Sequence, residues 1–267
     1  MIGLMTLVER EMVRFYRQRS RVIGALITPL LFWLMIGGGI GRSFQMGGAP
    51  TALNGQPHDI NFMEYFFPGI LVLIVFFTAI FSTISVIEDR REGFLQGVLV
   101  APVSRLTVAG GKIAGGALLA VAQGAIFLLL APFAHIALSL PGVLLTLVAL
   151  TLVAIALTGL GFVIAWQMDS TQGFHAIMNV FLIPLWILSG AAFPASGAQA
   201  WLRPVMLVNP VAYGVSAVRQ ALYVNVPGHP GTETTTLPVA LAITAAFAVV
   251  MTILSSIVVQ RRTASHG

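Results

Sequence analysis

The sequence predicts an all-α integral membrane protein: six transmembrane helices behind an amphipathic interfacial helix, with short outer-leaflet helices before the last span. Three observations predict it. Of 267 residues, 57% are hydrophobic and 9% are charged, whereas a soluble domain averages about 45–50% and about 25%. The apolar residues fall in six runs, at about 22–41, 65–87, 113–136, 143–166, 175–193 and 237–259. Each is near the roughly 20 residues a helix needs to cross about 30 Å of hydrocarbon, and too long and uniform for a barrel strand of about 9–11 alternating residues. The basic residues, finally, gather on one side. With the N-terminus in the cytoplasm, Arg10, Arg14, Arg17, Arg19, Arg21, Arg90, Arg91, Arg105, Lys112, Arg261 and Arg262 lie inside. Only Arg42, Arg203 and Arg219 remain outside, an eleven-to-three split that follows the positive-inside rule and leaves both termini cytoplasmic.

Residues 1–21 form the first unit. Leu4, Leu7, Val8, Met12 and Phe15 fall near one helical face, and Arg10, Arg14, Arg17 and Arg21 occupy the other. Such a helix lies on the inner membrane surface as a lipid anchor, or docks a partner; the spacing leaves both open. Residues 22–267 form one six-span unit. Its first outer loop, about 42–64, carries the turn residues Gly47, Gly48, Pro50, Asn54, Gly55 and Pro57. His135, an interfacial filler, precedes a minimal connection at Ser139, Pro141 and Gly142. Between 194 and 236, Pro194, Pro204 and Pro210 cut an apolar stretch into pieces shorter than a span. Two short outer-leaflet helices are expected there, about 198–206 and 210–223, with Trp201, Tyr213 and Tyr223 as interface anchors and GHPGTETTT as a linker.

Several chemistries are excluded. Without cysteine there is neither a disulfide nor a thiolate metal site. The net charge of +5 is a topology signal and an affinity for anionic lipid rather than a nucleic-acid footprint. GGKIAGG at 110–116 lacks the Ser or Thr of a phosphate-binding loop, and Asp169 with His175 is a helix-end polar pair before it is an acid–base pair. No charged residue is expected in the middle of a span, which counts against proton coupling. Gly37/Gly41 and Gly111/Gly115 have the spacing of close helix packing. Thr78, Ser82 and Ser85 share a face of the second span, with Gln123 in the third and Asn179 in the fifth. They join helices or line a polar route.

The stretch EDRREGFLQGVLVAPVSR at 88–105 interrupts the apolar pattern. After its charged head, Phe94, Leu95, Val98 and Leu99 repeat at helical spacing and Pro102 closes the element. A short helix of this kind fits a groove on another protein, or lies against the membrane or its own bundle. Spacing alone does not separate the two.

The EDRREG run after the second span and the LVAPVSR that follows accompany a basic N-terminal helix, six spans, and Asn209-Pro210 leading into VAYGVSAVRQALY. Together these resemble the permeases of ABC type-2 exporters over essentially the whole chain. The resemblance implies an exporter of two copies of this chain and two separate ATPase chains in a bacterial or archaeal-type inner membrane. ATP and Mg belong to the ATPase, so this chain holds no cofactor or metal and is no enzyme by itself. It also implies that Glu88, Asp89, Arg90, Arg91, Glu92, Phe94, Leu95, Val98 and Leu99 form a cytoplasmic coupling helix against the ATPase. Family members export drugs, lipid-linked oligosaccharides, polysaccharides or lipids. The aromatic second and fifth spans suit an apolar or amphipathic substrate, with Phe77, Phe81, Ser82, Asn179 and Phe181 as candidate lining. The competing classes are an ion-coupled secondary transporter and a membrane-embedded enzyme or scaffold.

Overall fold

The computed structural model describes residues 2–17, 19–40, 62–100, 104–225 and 235–264. Their regular elements are helices: α1 (Ile2–Arg17), α2 (Arg19–Ile40), α3 (Phe62–Ser82), α4 (Ile84–Arg91), α5 (Phe94–Val100), α6 (Arg105–Leu128), α7 (Leu140–Gln167), α8 (Thr171–Trp186), α9 (Leu202–Val208), α10 (Pro210–Leu222) and α11 (Leu237–Ala264). Among these residues five stretches are long and apolar enough to cross a membrane: Phe62–Arg91, Arg105–Leu128, Leu140–Gln167, Thr171–Ala191 and Leu237–Gln260. The first expected span, 22–41, falls on α2, whose apolar part Ile27–Gly39 is shorter. The turn residues of the first outer loop, Pro102 and most of the GHPGTETTT linker lie outside the described residues.

α3 is the axis of the bundle. Its sequence YFFPGILVLIVFF is apolar all round, and such a helix is stable only when surrounded. α2, α6, α7 and α10 pack around it. In the Phe62–Arg91 stretch 89% of the apolar window is buried, against 17% for Leu237–Gln260 on the periphery. The rod is broken once. Ser82 Oγ donates to the Ala79 carbonyl at 2.7 Å and Thr83 Oγ1 to the Ile80 carbonyl at 2.6 Å. Hydroxyls bonded back onto the ladder weaken it, and α4 starts afresh at Ile84.

Serine side chains cap the next three long helices: Ser104, Ser139 and Ser170 accept from the amides of Thr107, Gly142 and Gly173. The Ser104 cap starts α6 eight residues before the expected edge at 113, counting from Arg105. Lys112 therefore lies in the first third of a candidate span rather than in the loop before it, toward its end and not in its middle. α1 packs along this part of α6. A Cβ added to Gly111 would stand 2.8 Å from Leu7 Cβ, and one added to Gly115 would stand 2.9 Å from Glu11 Cβ. The Gly111/Gly115 spacing thus serves close helix approach.

The expected apolar face of α1 is the inner one: Leu7 and Phe15 are buried and Val8 and Met12 half-buried, with Leu4 exposed at its end. Glu11 is buried beside it, and the difference lies in the basic face. Arg10 and Arg14 turn into the protein rather than toward solvent or lipid, because carboxylates of α4 wait for them there.

At the other end of α3, α8 runs through Pro184 into a π turn, Ile187–Ala191, with Gly190 left-handed at φ 80°. Backbone carbonyls released by the broken helix are taken up from neighbouring elements. Asn209 Nδ2 donates to Leu185 O at 2.6 Å, and Tyr65 Oη and Arg219 donate to Gly190 O at 3.1 and 3.2 Å. Trp186 Nε1 in turn donates to Gly69 O at 2.9 Å. α9 and α10 match the two expected short helices to within a few residues, but α10 is buried against α3, α7 and α11. Arg219, counted among the outer basic residues, is buried with it, and Tyr223, expected as an interface anchor, is buried and donates to the Glu64 carbonyl at 3.0 Å; Trp201 is exposed. His135 is exposed too, in left-handed backbone at φ 62° after a 3-10 turn.

Gly115→Leu should lower the stability of the chain by about 1–3 kcal/mol, the usual cost of overpacking. Gly38→Leu, which meets nothing within 4 Å, should change it little. Thermal unfolding of the two purified variants in detergent checks this. Equal midpoints would mean that α1 does not rest on α6.

Candidate functional site

The polar interruption is where α1, α4, α5, α6 and the α7–α8 turn meet. Asp89 ends the axial rod and is fully buried. An isolated carboxylate there would be untenable, and three cations meet it. Arg10 donates from both terminal nitrogens, at 2.9 Å to Oδ2 and 2.7 Å to Oδ1. Arg14 donates to Oδ1 at 2.6 Å and to Glu88 Oε2 at 2.8 Å. Lys112 Nζ donates to Asp89 Oδ2, to Glu11 Oε1 at 2.5 Å and to Ser85 Oγ at 3.0 Å. The carboxylate of Asp89 holds the Arg10 guanidinium above its ordinary pKa, chiefly through their hydrogen bond, so Arg10 is charged at every accessible pH.

The second half of the run faces the other way. Arg90 donates to the carbonyls of Trp166 at 2.6 Å and Met168 at 3.2 Å, and to Asp169 Oδ1 at 3.0 Å. Arg91 Nε donates to Asp169 O at 3.0 Å. A cation on the last carbonyls of α7 also complements the negative end of that helix. Consecutive residues therefore fasten different elements: Glu88 and Asp89 hold α1, and Arg90 and Arg91 hold the end of α7.

α5 leaves this mount at Gly93, whose φ of 75° is left-handed and favours glycine. Leu95 is buried in the chain's own core, and Val98 packs partly against it. Phe94 is half-buried beneath Arg10, whose Cζ stands 3.7 Å from the ring centroid. Arg91, Glu92 and Gly97 are exposed. The side chain of Leu99 lies outside the described residues. The described members of the expected apolar face thus turn toward the chain itself, and the outward surface runs through Glu92 and Gly97.

The candidate route residues do not form one group. Phe77 and Phe81 are half-buried and stacked at 5.5 Å, and Phe81 meets the His175 ring at 5.1 Å. On α8, Phe174, Met178, Leu182 and Trp186 repeat every fourth position and are buried, which leaves Asn179 and Phe181 on the exposed faces. Ser82 departs from the set. It packs in the space that Gly116 leaves, where an added Cβ would come within 2.3 Å of Ser82 Oγ. Thr78 Oγ1 donates to Gln123 Oε1, and Ser85 accepts from Lys112. The polar stripe of the second span is therefore the seam with α6.

Arg10, Arg14, Glu11 and Lys112 were not expected from the sequence as parts of this site. The available signal was charge matching: Arg10 and Arg14 at i and i+4, against the adjacent carboxylates Glu88 and Asp89.

The chain matches the family described as ABC-2 type transporter over residues 3–223. It is 28% identical over 218 residues to a protein of Cyanophora paradoxa named as a transport permease, ycf38, covering 81% of this chain and 72% of that one. It is 22% identical over 163 residues to YbhR of Escherichia coli K12, named as a multidrug ABC transporter permease, covering 61% of this chain and 44% of that one. To nodulation protein J of Sinorhizobium fredii it is 25% identical over 205 residues, covering 76% and 74%.

Asp89→Ala should destabilise the chain by about 3–5 kcal/mol, because removing one partner of a buried ion pair leaves the others uncompensated. Glu88→Gln, at a half-exposed position, should cost about 0–1 kcal/mol. Thermal midpoints of the purified variants decide. An Asp89→Ala midpoint no lower than that of Glu88→Gln would contradict the central place given to Asp89.

Proposed function

The chain belongs to the ABC-2 type transporter family, whose permeases work with a separate ATP-binding subunit, and we propose that it is the membrane-spanning half of an ATP-driven exporter. Two copies of the chain pair with two ATPase subunits, which bind ATP and Mg. Both termini and α5 face the cytoplasm of a bacterial or archaeal-type inner membrane. The observation that carries this proposal is the mounting of α5. A seven-residue helix with an exposed edge follows the end of the most buried rod in the bundle, and that end is held by ion pairs to α1 and by hydrogen bonds to the last carbonyls of α7. A helix so fastened passes a push on its outer edge into α3 instead of yielding to it.

The substrate is apolar or amphipathic. Phe77, Phe81, Asn179 and Phe181 bring half-buried rings and exposed polar and apolar groups to α3 and α8, which suits a drug or a lipid-linked molecule. The multidrug name of YbhR supports the first class. An ion-coupled carrier is the second reading, and the buried Lys112–Glu11–Asp89 contacts favour it. Transport that follows an ion gradient and survives ATP depletion would establish that reading instead.

A Cβ at Gly97 meets no atom of the described residues within 4 Å, so Gly97→Trp fits the described chain and obstructs what docks on α5. It should cut retention of the ATP-binding subunit on affinity-tagged chain more than about tenfold, since each 1.4 kcal/mol lost from an interface is a factor of ten. Retention equal to wild type, with the variant folded and membrane-inserted, would remove α5 from the interface. Asn179→Trp should change which compounds are exported while leaving assembly intact; an unchanged export profile would remove Asn179 from the route.

A further inference from the structure

We propose that Arg10 is a positioning residue for α5, so that the N-terminal helix sets the direction in which the coupling element points. The left-handed joint at Gly93 lets the chain turn but does not fix how far α5 rolls about its axis. Leu95, the one α5 side chain fully enclosed among those described, fixes its depth. Val98 packs only partly against the same core, so the far end of α5 restrains its roll weakly. The guanidinium of Arg10 supplies the second point. It is held in plane by the two-pronged contact with Asp89, at 2.9 and 2.7 Å, and lies over the Phe94 ring at 3.7 Å. One group therefore joins α1, the last turn of α4 and the first residue of α5. Lysine at position 10 would keep the charge and lose the planar fork that lets one side grip a carboxylate while the other covers a ring.

The positioning role stands on the chain itself; only its consequence for an ATPase rests on the function proposed above. The chain has no cysteine, so a nitroxide on Gly97→Cys, in open space, reports α5 alone. The spectra are taken on the full chain in lipid nanodiscs. Arg10→Ala and Phe94→Leu should each raise the ratio of mobile to immobile label about tenfold, as loss of a partly desolvated cation–π contact predicts. Arg10→Lys should not restore the immobile spectrum. The pair Arg10→Lys with Phe94→Leu should go no further than either alone, because both remove one shared contact. Arg17→Ala, an exposed neighbour on α1, should leave the spectrum unchanged. Asp89 keeps Arg14 and Lys112 when Arg10 is lost, so the fold has a reason to survive; if Arg10→Ala aggregates, Phe94→Leu and Arg10→Lys decide. An immobile label in those variants, or additive effects in the pair, would overturn the proposal. A parallel pull-down on tagged chain separates the two ideas. A wild-type chain that retains no ATP-binding subunit would sink the docking reading while the spectra still decide the role of Arg10. Retention by wild type with unchanged spectra would sink the role of Arg10 alone.

Discussion

Everything at one end of this molecule follows from a carboxylate with no access to water. Asp89 closes the most buried helical rod of the bundle, and a charge so placed persists only when its neighbours replace its hydration. That requirement recruits Arg10 and Arg14 from α1 and Lys112 from α6. Lys112, itself buried, then requires Glu11 and Ser85. The close approach of α1 to α6 at Gly111 and Gly115 is the steric counterpart of the same demand, because the side chains meet only if the backbones do.

The opposite end solves a different problem. There the difficulty is backbone rather than side chain: the π turn at 187–191 interrupts the hydrogen-bond ladder of α8. Unpaired carbonyls in an apolar setting cost several kcal/mol each. Tyr65, Arg219 and Asn209 supply the missing donors, and the Tyr65 ring also covers the Arg219 guanidinium at 4.3 Å. The rod of α3 and α4 thus ends in a charge cluster on one side and a set of donors to open carbonyls on the other, separated by roughly 36 Å from Tyr65 to Asp89 at about 1.5 Å per residue.

Much of this was legible in the sequence. Five of the six apolar runs correspond to helices long enough to span, and the Gly111/Gly115 spacing and the two short helices after Pro194 were visible as patterns. Those signals are local, set by length, periodicity and proline. What escaped was long-range. Arg10 and Asp89 are 79 residues apart, and Glu11 and Lys112 are 101 apart; no periodicity joins them. The polar face of α1 was misdirected for the same reason. Alternation of apolar and basic residues marks two faces but does not say whether water, lipid headgroups or buried carboxylates satisfy the basic one. Leu95 was likewise assigned to an apolar face whose direction depends on the left-handed turn at Gly93.

The sequence separation of the ion pairs also bears on how the chain is made. A ribosome adds about 5–20 residues per second, so Lys112 emerges roughly 5–20 s after the Glu11 with which it pairs. During that interval α1 has been synthesised but its anchor has not. Until Glu88 and Asp89 follow, its arginines can meet only water and anionic headgroups, and its leucines only the membrane surface. α1 is therefore made well before it can be seated, and the amphipathic pattern read from its sequence describes where it waits as well as where it ends.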